Sequence, residues 1–389
     1  MPRGMSAVLD SGRVGAAGDL SAADGALTGS IDWRRCLRLG ALGAVITLAL
    51  VLVSVFTTPV PTAEDPGGYT TTYNPPHGRF EGLLDHVDGQ AYATLAQDPT
   101  WSRPEAFLPG PGGIATFSGR PVMPYLLWAA SFGQPGAIPV GYVVIEALAG
   151  GLLVLAAAAL LHARGRAAAD RLSLVLLALP GALFAITWLG QDVLALGLGL
   201  LGLVLWSKPQ PRRVAAIALL TLSVLTRETM LILVATMFLE RAVQAGRPRL
   251  RVRLDDLWLA VPGVIYVAWG VFISAKLDAP TTTAVDRHLG LPFVGLFNSV
   301  SGWSLMGGLI VASQIALVVF SLVRSDSRVL RWQVAAFALT TTLAAEPVWR
   351  EWDGGLRVIL PLVALSVLNL NLPSQPHDAR SLGVERARQ

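Results

Sequence analysis

Residues 172–206 decide the fold, and they read LSLVLLALPGALFAITWLGQDVLALGLGLLGLVLW. Such an apolar stretch belongs in a membrane, but it is much longer than the roughly 20 residues that one helix needs to cross a bilayer. Pro180 interrupts a helix, and Gly190-Gln191-Asp192 places a polar turn near the middle. We therefore predict two short helices that meet at this turn and return to the side from which they started.

The composition of the whole chain supports a membrane protein. Of its 389 residues, 53% are hydrophobic and only 14% are charged, and the mean hydropathy is +0.56. These values are typical of a protein with many membrane-spanning helices rather than of a soluble domain. The single cysteine, Cys36, excludes an intrachain disulfide and a cysteine-based metal site. The basic residues lie in short loops, so we expect membrane lipids and no nucleic acid as partners.

Positive charge indicates how the chain is threaded. Residues 214–239 pose the same question as the opening stretch, because Thr226-Arg227-Glu228 interrupts an apolar run. If both stretches turn back, the basic loops near Arg164, Lys208 and Arg247 lie with both tails, on the cytoplasmic side. This predicts an all-α integral membrane protein of about ten transmembrane helices, several of them short. Single crossings at both stretches would give eight helices and would place the Lys208 loop outside.

The remaining segments follow from this threading. Residues 1–32 are rich in Gly, Ala, Ser and Asp, and we predict a disordered cytoplasmic tail there, with a second cytoplasmic tail at 373–389. The membrane domain covers 33–372, and residues 57–137 form its first extracytoplasmic loop. The other predicted crossings are 36–56, 138–161, 257–275, 304–323, 332–345 and 356–370. Glu146, within one of them, is expected to face the interior of the helix bundle.

The first extracytoplasmic loop carries predicted amphipathic helices. Between Phe80 and Leu95, apolar residues recur at spacings of three and four, so they share one helix face. Asp85 and Asp88 share another face, and Tyr92 lies one turn beyond Asp88. We expect this helix to lie on the membrane with its carboxylates toward water. Residues 122–132 are too short to cross and predict an interfacial or re-entrant helix.

Polar residues from distant parts of the chain meet at the outer face in this threading. Because ionisable groups at membrane depth are costly, their collection on one side predicts a functional site. The substrate-binding candidates are Tyr92, Arg120, Gln191, Asp192, Arg227, Glu228, Arg287, His288, Trp349, Arg350, Trp352 and Asp353. The five histidines are scattered without the spacing of metal ligands, so no metal site is predicted.

The residue types indicate what each candidate could do. A carboxylate such as Asp88, with Asp85 as the alternative, could act as a general base, or it could simply solvate a helix surface. Arg227 could hold a phosphate with its planar guanidinium, or it could form a structural pair with Glu228. Indoles such as Trp349 could pack against a sugar, or they could belong to an interfacial aromatic belt. Arg357 is a weaker phosphate candidate, since its side chain could instead extend to the interface.

Three short motifs carry a resemblance to a known family. The run Val87-Asp88-Gly89-Gln90-Ala91-Tyr92-Ala93-Thr94-Leu95-Ala96 resembles the Asp-Gly-x-x-Tyr-x-x-Ile-Ala element of GT-C-type membrane glycosyltransferases, including GPI mannosyltransferases and actinobacterial relatives. Arg120-Pro121-Val122-Met123-Pro124-Tyr125 is similar to their Arg-Pro-x-x-Pro stretch, and Leu225-Thr226-Arg227-Glu228-Thr229 to a polar helix-end element. The resemblance covers residues 80–239, and the last third of the chain matches only in general character.

The resemblance implies an activity. A polyprenyl-phosphate-linked sugar docks from the outer leaflet, and the loop carboxylate, Asp88 or else Asp85, activates an acceptor hydroxyl that attacks the anomeric carbon with inversion. Arginines neutralise the departing lipid phosphate. The implied acceptor is an envelope glycolipid or glycan, the sugar mannose or arabinose, and the location the plasma membrane, with no cofactor. The alternative, a transporter or lipid flippase, would place polar groups at the membrane midplane and repeat one half of the chain in the other.

Overall fold

A computed structural model describes residues 30–57, 87–102, 117–166, 168–188, 190–208, 212–245, 254–277, 289–324, 327–350 and 352–370. These residues contain helices and no β-strand, apart from one isolated bridge between Leu289 and Ala344. Most of the two predicted tails and most of the first loop lie outside the described residues.

Sixteen α-helices are present in the described part of the chain, and short 3₁₀ turns precede or follow several of them. They are α1 Trp33–Thr57, α2 Val87–Gln97, α3 Val122–Ala130, α4 Ile138–Ala163, α5 Ala169–Val175, α6 Pro180–Thr187, α7 Asp192–Trp206, α8 Arg213–Thr226, α9 Leu231–Ala245, α10 Val261–Leu277, α11 Val294–Val300, α12 Leu305–Arg324, α13 Arg328–Thr342, α14 Glu346–Trp349, α15 Trp352–Val358 and α16 Leu360–Asn369.

Several of these helices could cross a membrane. Four helical segments are long and apolar enough, namely α1, Pro135–Ala163, Leu254–Leu277 and α12. A fifth would be added if Ala169–Ala178 and α6, which meet at a bend of 57°, act as one span. Helices α7, α8 and α16 are apolar but shorter. The predicted all-α fold is therefore confirmed for the described residues, and their long apolar helices are compatible with a membrane protein.

The breaks in the apolar stretches lie where the chain loses backbone hydrogen bonds. One falls between α6 and α7, just before Asp192, and another between α8 and α9, where Arg227 takes an extended conformation. The structure adds a bend at Pro180, since Leu179 before it is also extended. Within the predicted span over 356–370, the helix is interrupted at Ile359, and α16 restarts with Pro361 in its first turn.

Helix α4 is the centre of the bundle. It packs against α1 on one side and α7 on another, and most of its residues are buried. Glycines allow the close approach of α1 and α4: a Cβ at Gly150 would lie 2.7 Å from Thr47 Cβ, and one at Gly43 would lie 2.7 Å from Val154 Cγ2. Small residues at a helix crossing let the two backbones come together, which in a membrane is a main source of packing energy.

One end of the bundle is held by basic residues, and we call it the basic end. Asp170, in the first turn of α5, forms an ion pair with Arg35 of α1, and the His162 Nε2 atom lies 3.2 Å from the Asp170 Oδ1 atom. Lys208, which follows α7, places its Nζ atom 4.6 Å from the centre of the Trp33 ring. The chain from Asp170 to Lys208 therefore starts and finishes at the same end of the bundle.

We predict that Gly150→Ala destabilises the protein because the new methyl group overlaps the Thr47 side chain. The expected loss is about 1–3 kcal/mol of unfolding free energy, as for other overpacked positions. The measurement is thermal unfolding of the purified protein in detergent. Gly308→Ala in α12 is the matched control, since a Cβ there meets nothing within 4 Å. Equal melting temperatures for the two variants would contradict the proposed α1–α4 contact.

Candidate functional site

Seven polar side chains from five separate segments meet at the end of the bundle opposite the basic end. We call them the polar cluster: Tyr92, Arg120, Gln191, Asp192, Arg227, Glu228 and Arg357. Four of these segments arrive at a helix end or a break, and α2 contributes Tyr92 from its middle. Tyr92 lies in α2, Arg120 precedes α3, and Arg357 lies near the end of α15.

Arg120 and Glu228 form a two-pronged ion pair. Arg120 donates from Nε to Glu228 Oε2 at 2.7 Å and from Nη2 to Glu228 Oε1 at 2.6 Å, while its Nη1 lies 3.4 Å from the Tyr92 hydroxyl. Burial alone would lower the pKa of Arg120, but Glu228 and Tyr92 raise it well above its ordinary value. Arg120 is therefore a fixed positive charge, and its position is set by three donors that all have partners.

Asp192 holds the two other arginines. Arg227 Nε lies 3.1 Å from Asp192 Oδ1, and Arg357 Nη2 lies 3.1 Å from Asp192 Oδ2. Gly190 makes this arrangement possible, because a Cβ there would be 2.7 Å from Arg357 Nη2 and 3.1 Å from Asp192 Oδ2. The Arg357 guanidinium also lies 6.0 Å from the centre of the Trp188 ring. A buried carboxylate between two arginines lowers the cost of burying both of them, and one positive charge remains in excess.

Gln191 joins the two ion-paired groups. With its amide oriented to satisfy its neighbours, the Gln191 oxygen accepts from Arg227 Nη1 at 3.1 Å and from Arg120 Nη1 at 3.2 Å. The amide nitrogen then donates to the Tyr92 hydroxyl at 2.8 Å. Gln191 is fully buried, so this one side chain couples the Arg120 pair to the Asp192 pairs.

Glu146 of α4 borders the cluster without a hydrogen bond. It is completely buried, and neither carboxyl oxygen has a hydrogen-bond partner. It lies within electrostatic range of Asp192 and Arg357. The prediction that Glu146 faces the bundle interior is confirmed.

The structure brings together six of the twelve predicted substrate-binding residues and adds Arg357. Tyr92, Arg120, Gln191, Asp192, Arg227 and Glu228 are all in the polar cluster. Arg357 joins them through Asp192 with its side chain only 11% exposed, so the interpretation that it extends to the interface is wrong. In the sequence, Arg357 is a charged residue next to an apolar run. Such a residue needs a partner of opposite charge when it is buried.

Helix α2 differs from the prediction of an amphipathic surface helix. Residues 91–96 are all buried, on every face of the helix. The Tyr142 hydroxyl of α4 donates to the Gly89 carbonyl at 3.5 Å, and the Tyr92 ring packs edge-on against Phe117 at 5.4 Å. The small residues of α2 let α3 and α4 pack around it, a contact that the period of a single helix does not reveal. The surface-helix prediction is therefore wrong for this part.

The two proposed bases are only partly covered by the structure. The backbone of Asp88 lies in α2 one turn before Tyr92, and its side chain lies outside the description. Asp85 also lies outside the described residues, as do Arg287 and His288. Trp352 and Asp353 have their backbones in α15, and their side chains are not described either.

Two further candidates are described and lie outside the polar cluster. Trp349 is only 3% exposed and packs against Trp303, with ring centres 6.2 Å apart, and against Gly355. The interpretation of Trp349 as a sugar-binding face is wrong, because neither face of its ring is open. Because Trp349 is buried, it does not belong to an interfacial aromatic belt either. The Arg350 side chain is 71% exposed and pairs with Glu346 at 3.6 Å. Among the described residues there is no group of three or more possible metal ligands.

No family model, curated protein or solved structure matches this chain. What the polar cluster can do follows from its own residues. The cluster holds three guanidinium groups, and two carboxylates are in direct contact with them. The positive groups therefore outnumber the negative ones. Guanidinium forks suit phosphate as well as carboxylate, because both offer two oxygens in a plane.

We predict that Arg357→Met lowers the unfolding free energy by about 1.5–3 kcal/mol, because the buried Asp192 loses the hydrogen bonds from Arg357 while it keeps Arg227. The measurement is thermal unfolding in detergent. Arg350→Met is the matched control: its pair is exposed, and such pairs contribute about 1 kcal/mol or less. A melting temperature for Arg357→Met as high as that of the control would contradict the buried pairing.

Proposed function

We propose that this protein transfers a sugar from a polyprenyl-phosphate donor to an envelope glycolipid or glycan, as GT-C-type membrane glycosyltransferases do. The observation that supports this best is the polar cluster itself. It places Tyr92, one helical turn after Asp88 in the segment that resembles the family's motif, next to Arg120 and Gln191, and Gln191 in turn contacts Arg227. A mannosyl or arabinosyl group is the proposed sugar.

The depth of the cluster supports a lipid-linked donor. Helix α7 runs from Asp192 in the cluster to Trp206 near the basic end, and its 15 residues are about 22 Å long. The apolar core of a bilayer is about 30 Å thick. If the basic end lies at the cytoplasmic boundary, the cluster lies several ångströms below the opposite boundary. A phosphate on a polyprenyl chain can reach that depth, since its chain stays in the membrane.

The proposed reaction uses a base and an anion site. The carboxylate of Asp88, or alternatively of Asp85, accepts the proton of an acceptor hydroxyl, whose oxygen forms the new bond to the anomeric carbon. The bond between that carbon and the phosphate oxygen breaks, and the phosphate keeps the electron pair. The arginines of the cluster stabilise the charge that develops on the departing lipid phosphate. The attack comes from the opposite face, so the configuration inverts.

We propose a threading of ten crossings with both tails in the cytoplasm and residues 57–137 outside. The contact of Lys208 with Trp33 supports it, because it returns the chain to the end where α1 begins. The pair between Arg213 and Asp255, at 2.7 Å, does the same for α8 and α9. The polar cluster then faces the extracytoplasmic side of the plasma membrane.

We predict that Asp88→Asn lowers sugar transfer by about 10²–10⁴-fold, because the amide cannot accept the proton of the acceptor. The measurement is the release of lipid phosphate from a panel of polyprenyl-phosphate sugars by the purified protein. Asp98→Asn is the matched control directly after the same helix, where the carboxylate accepts from the Thr100 and Ser102 hydroxyls. If Asp88→Asn transfers sugar like the wild type and Asp85→Asn does too, the proposed base is wrong. Uptake of substrate into proteoliposomes without any lipid-linked sugar would favour a transporter.

The threading predicts which loops a membrane-impermeant maleimide can reach in intact cells. With the buried Cys36 replaced by Ala, a cysteine at Lys208 should react only after the membrane is opened, since ten crossings place it inside. A cysteine at the exposed Gln134, before α4, is the outward control and should react in intact cells. Labelling of both positions in intact cells would support eight crossings instead.

A further inference from the structure

Each of the three guanidinium nitrogens of Arg120 has a partner in this structure. Its Nε and Nη2 atoms bind Glu228, and its Nη1 atom lies near Tyr92 and, with the amide oriented as above, Gln191. Arg227 and Arg357 are engaged with Asp192. A phosphate that binds the Nε–Nη2 edge of Arg120 therefore has to displace Glu228.

The two carboxylates differ in how easily they can leave. The Asp192 side chain is 4% exposed and bridges two arginines, so its release would leave both charges buried without a partner. The Glu228 side chain is 29% exposed and contacts one arginine through its two oxygens. Glu228 lies at the start of a three-residue 3₁₀ turn between α8 and α9. Its release would separate only one ion pair, and Tyr92 and Gln191 would still contact Arg120.

We propose that Glu228 occupies the position on Arg120 that the phosphate of a lipid-linked ligand takes, and that binding of this phosphate releases Glu228. This inference rests on the proposed function, and it adds an internal competitor to that site. A carboxylate and a phosphate both accept two parallel hydrogen bonds from a guanidinium, so each can replace the other on Arg120. The ligand class is a prenyl phosphate or a phosphate diester that carries a prenyl chain.

The proposed exchange and a purely structural role of Glu228 predict opposite effects on the affinity for phosphate. If the site binds phosphate only when the pair is open, the apparent affinity is reduced by the fraction of molecules in which it is open. Weakening the pair should then strengthen binding, even though it costs stability. A Glu228 that only holds Arg120 in place would give weaker binding when it is changed.

The experiment measures binding of farnesyl phosphate, and separately of inorganic phosphate, to the purified full chain in detergent. If the pair is open in about a tenth of the molecules, Glu228→Gln should bind farnesyl phosphate up to about tenfold more tightly than the wild type. Glu228→Asp, which keeps the charge but is too short to keep both hydrogen bonds, should show a smaller gain. Asp255→Asn is the matched control, because it removes a carboxylate from an exposed arginine pair at the far end of α8.

The gain should also require Arg120. In Arg120→Lys, which cannot present a fork, adding Glu228→Gln should bring no increase. Unchanged or weaker binding in both folded Glu228 variants would overturn the exchange. An equal gain for inorganic phosphate would overturn the lipid-linked ligand and leave a free phosphate. If the exchange holds but no variant or wild-type protein transfers sugar, the proposed function fails alone; if nothing binds farnesyl phosphate, both fail.

Discussion

The structure depends on the need to neutralise arginine side chains inside an apolar bundle. A charge taken out of water costs several kilocalories per mole unless it meets an opposite charge with good hydrogen-bond geometry. Asp192 supplies the opposite charge for Arg227 and Arg357, and Glu228 supplies it for Arg120 through two hydrogen bonds. Because these partners come from distant segments, satisfying them ties α7, α8, α15 and the segment before α3 into one end of the molecule.

This constraint explains why so many helices are short. A helix that crossed the membrane without interruption would bury its central polar residues. Its backbone N–H and C=O groups would all bond within the helix, and little room would be left for partner side chains. Breaks before Asp192 and at Arg227 turn the chain at the depth where the charges lie, and they bring helix ends together. Gly190 serves the same purpose, since its missing side chain leaves the space that the Arg357 guanidinium occupies. Close packing of α1 on α4 supplies the rigid frame against which these hairpins rest.

Contacts fix the positions of the side chains in the polar cluster, but these side chains differ in how exposed they are. Gln191 and Asp192 are buried, and they set the positions of the arginines. Glu228 is the acid that reaches the surface of the bundle. An anion site of this kind has a fixed cationic side and one carboxylate that can move, and the proposals above depend on this difference. Glu146 adds a further acid near Asp192 whose oxygens have no hydrogen bond, and we assign it no part in the reaction.

The sequence by itself determined the class of the protein, the main breaks in its apolar stretches and most members of the cluster. Composition, Pro180, Gly190-Gln191-Asp192 and Thr226-Arg227-Glu228 are local signals, and polar residues in apolar runs have few places to go. Only the tertiary structure decided which residues form ion pairs with each other. Arg120 lies 108 positions from Glu228 and Arg357 lies 165 from Asp192, so no local period connects them. The same holds for the burial of α2 and Trp349, because a helix period tells which residues share a face but not what packs against the other faces.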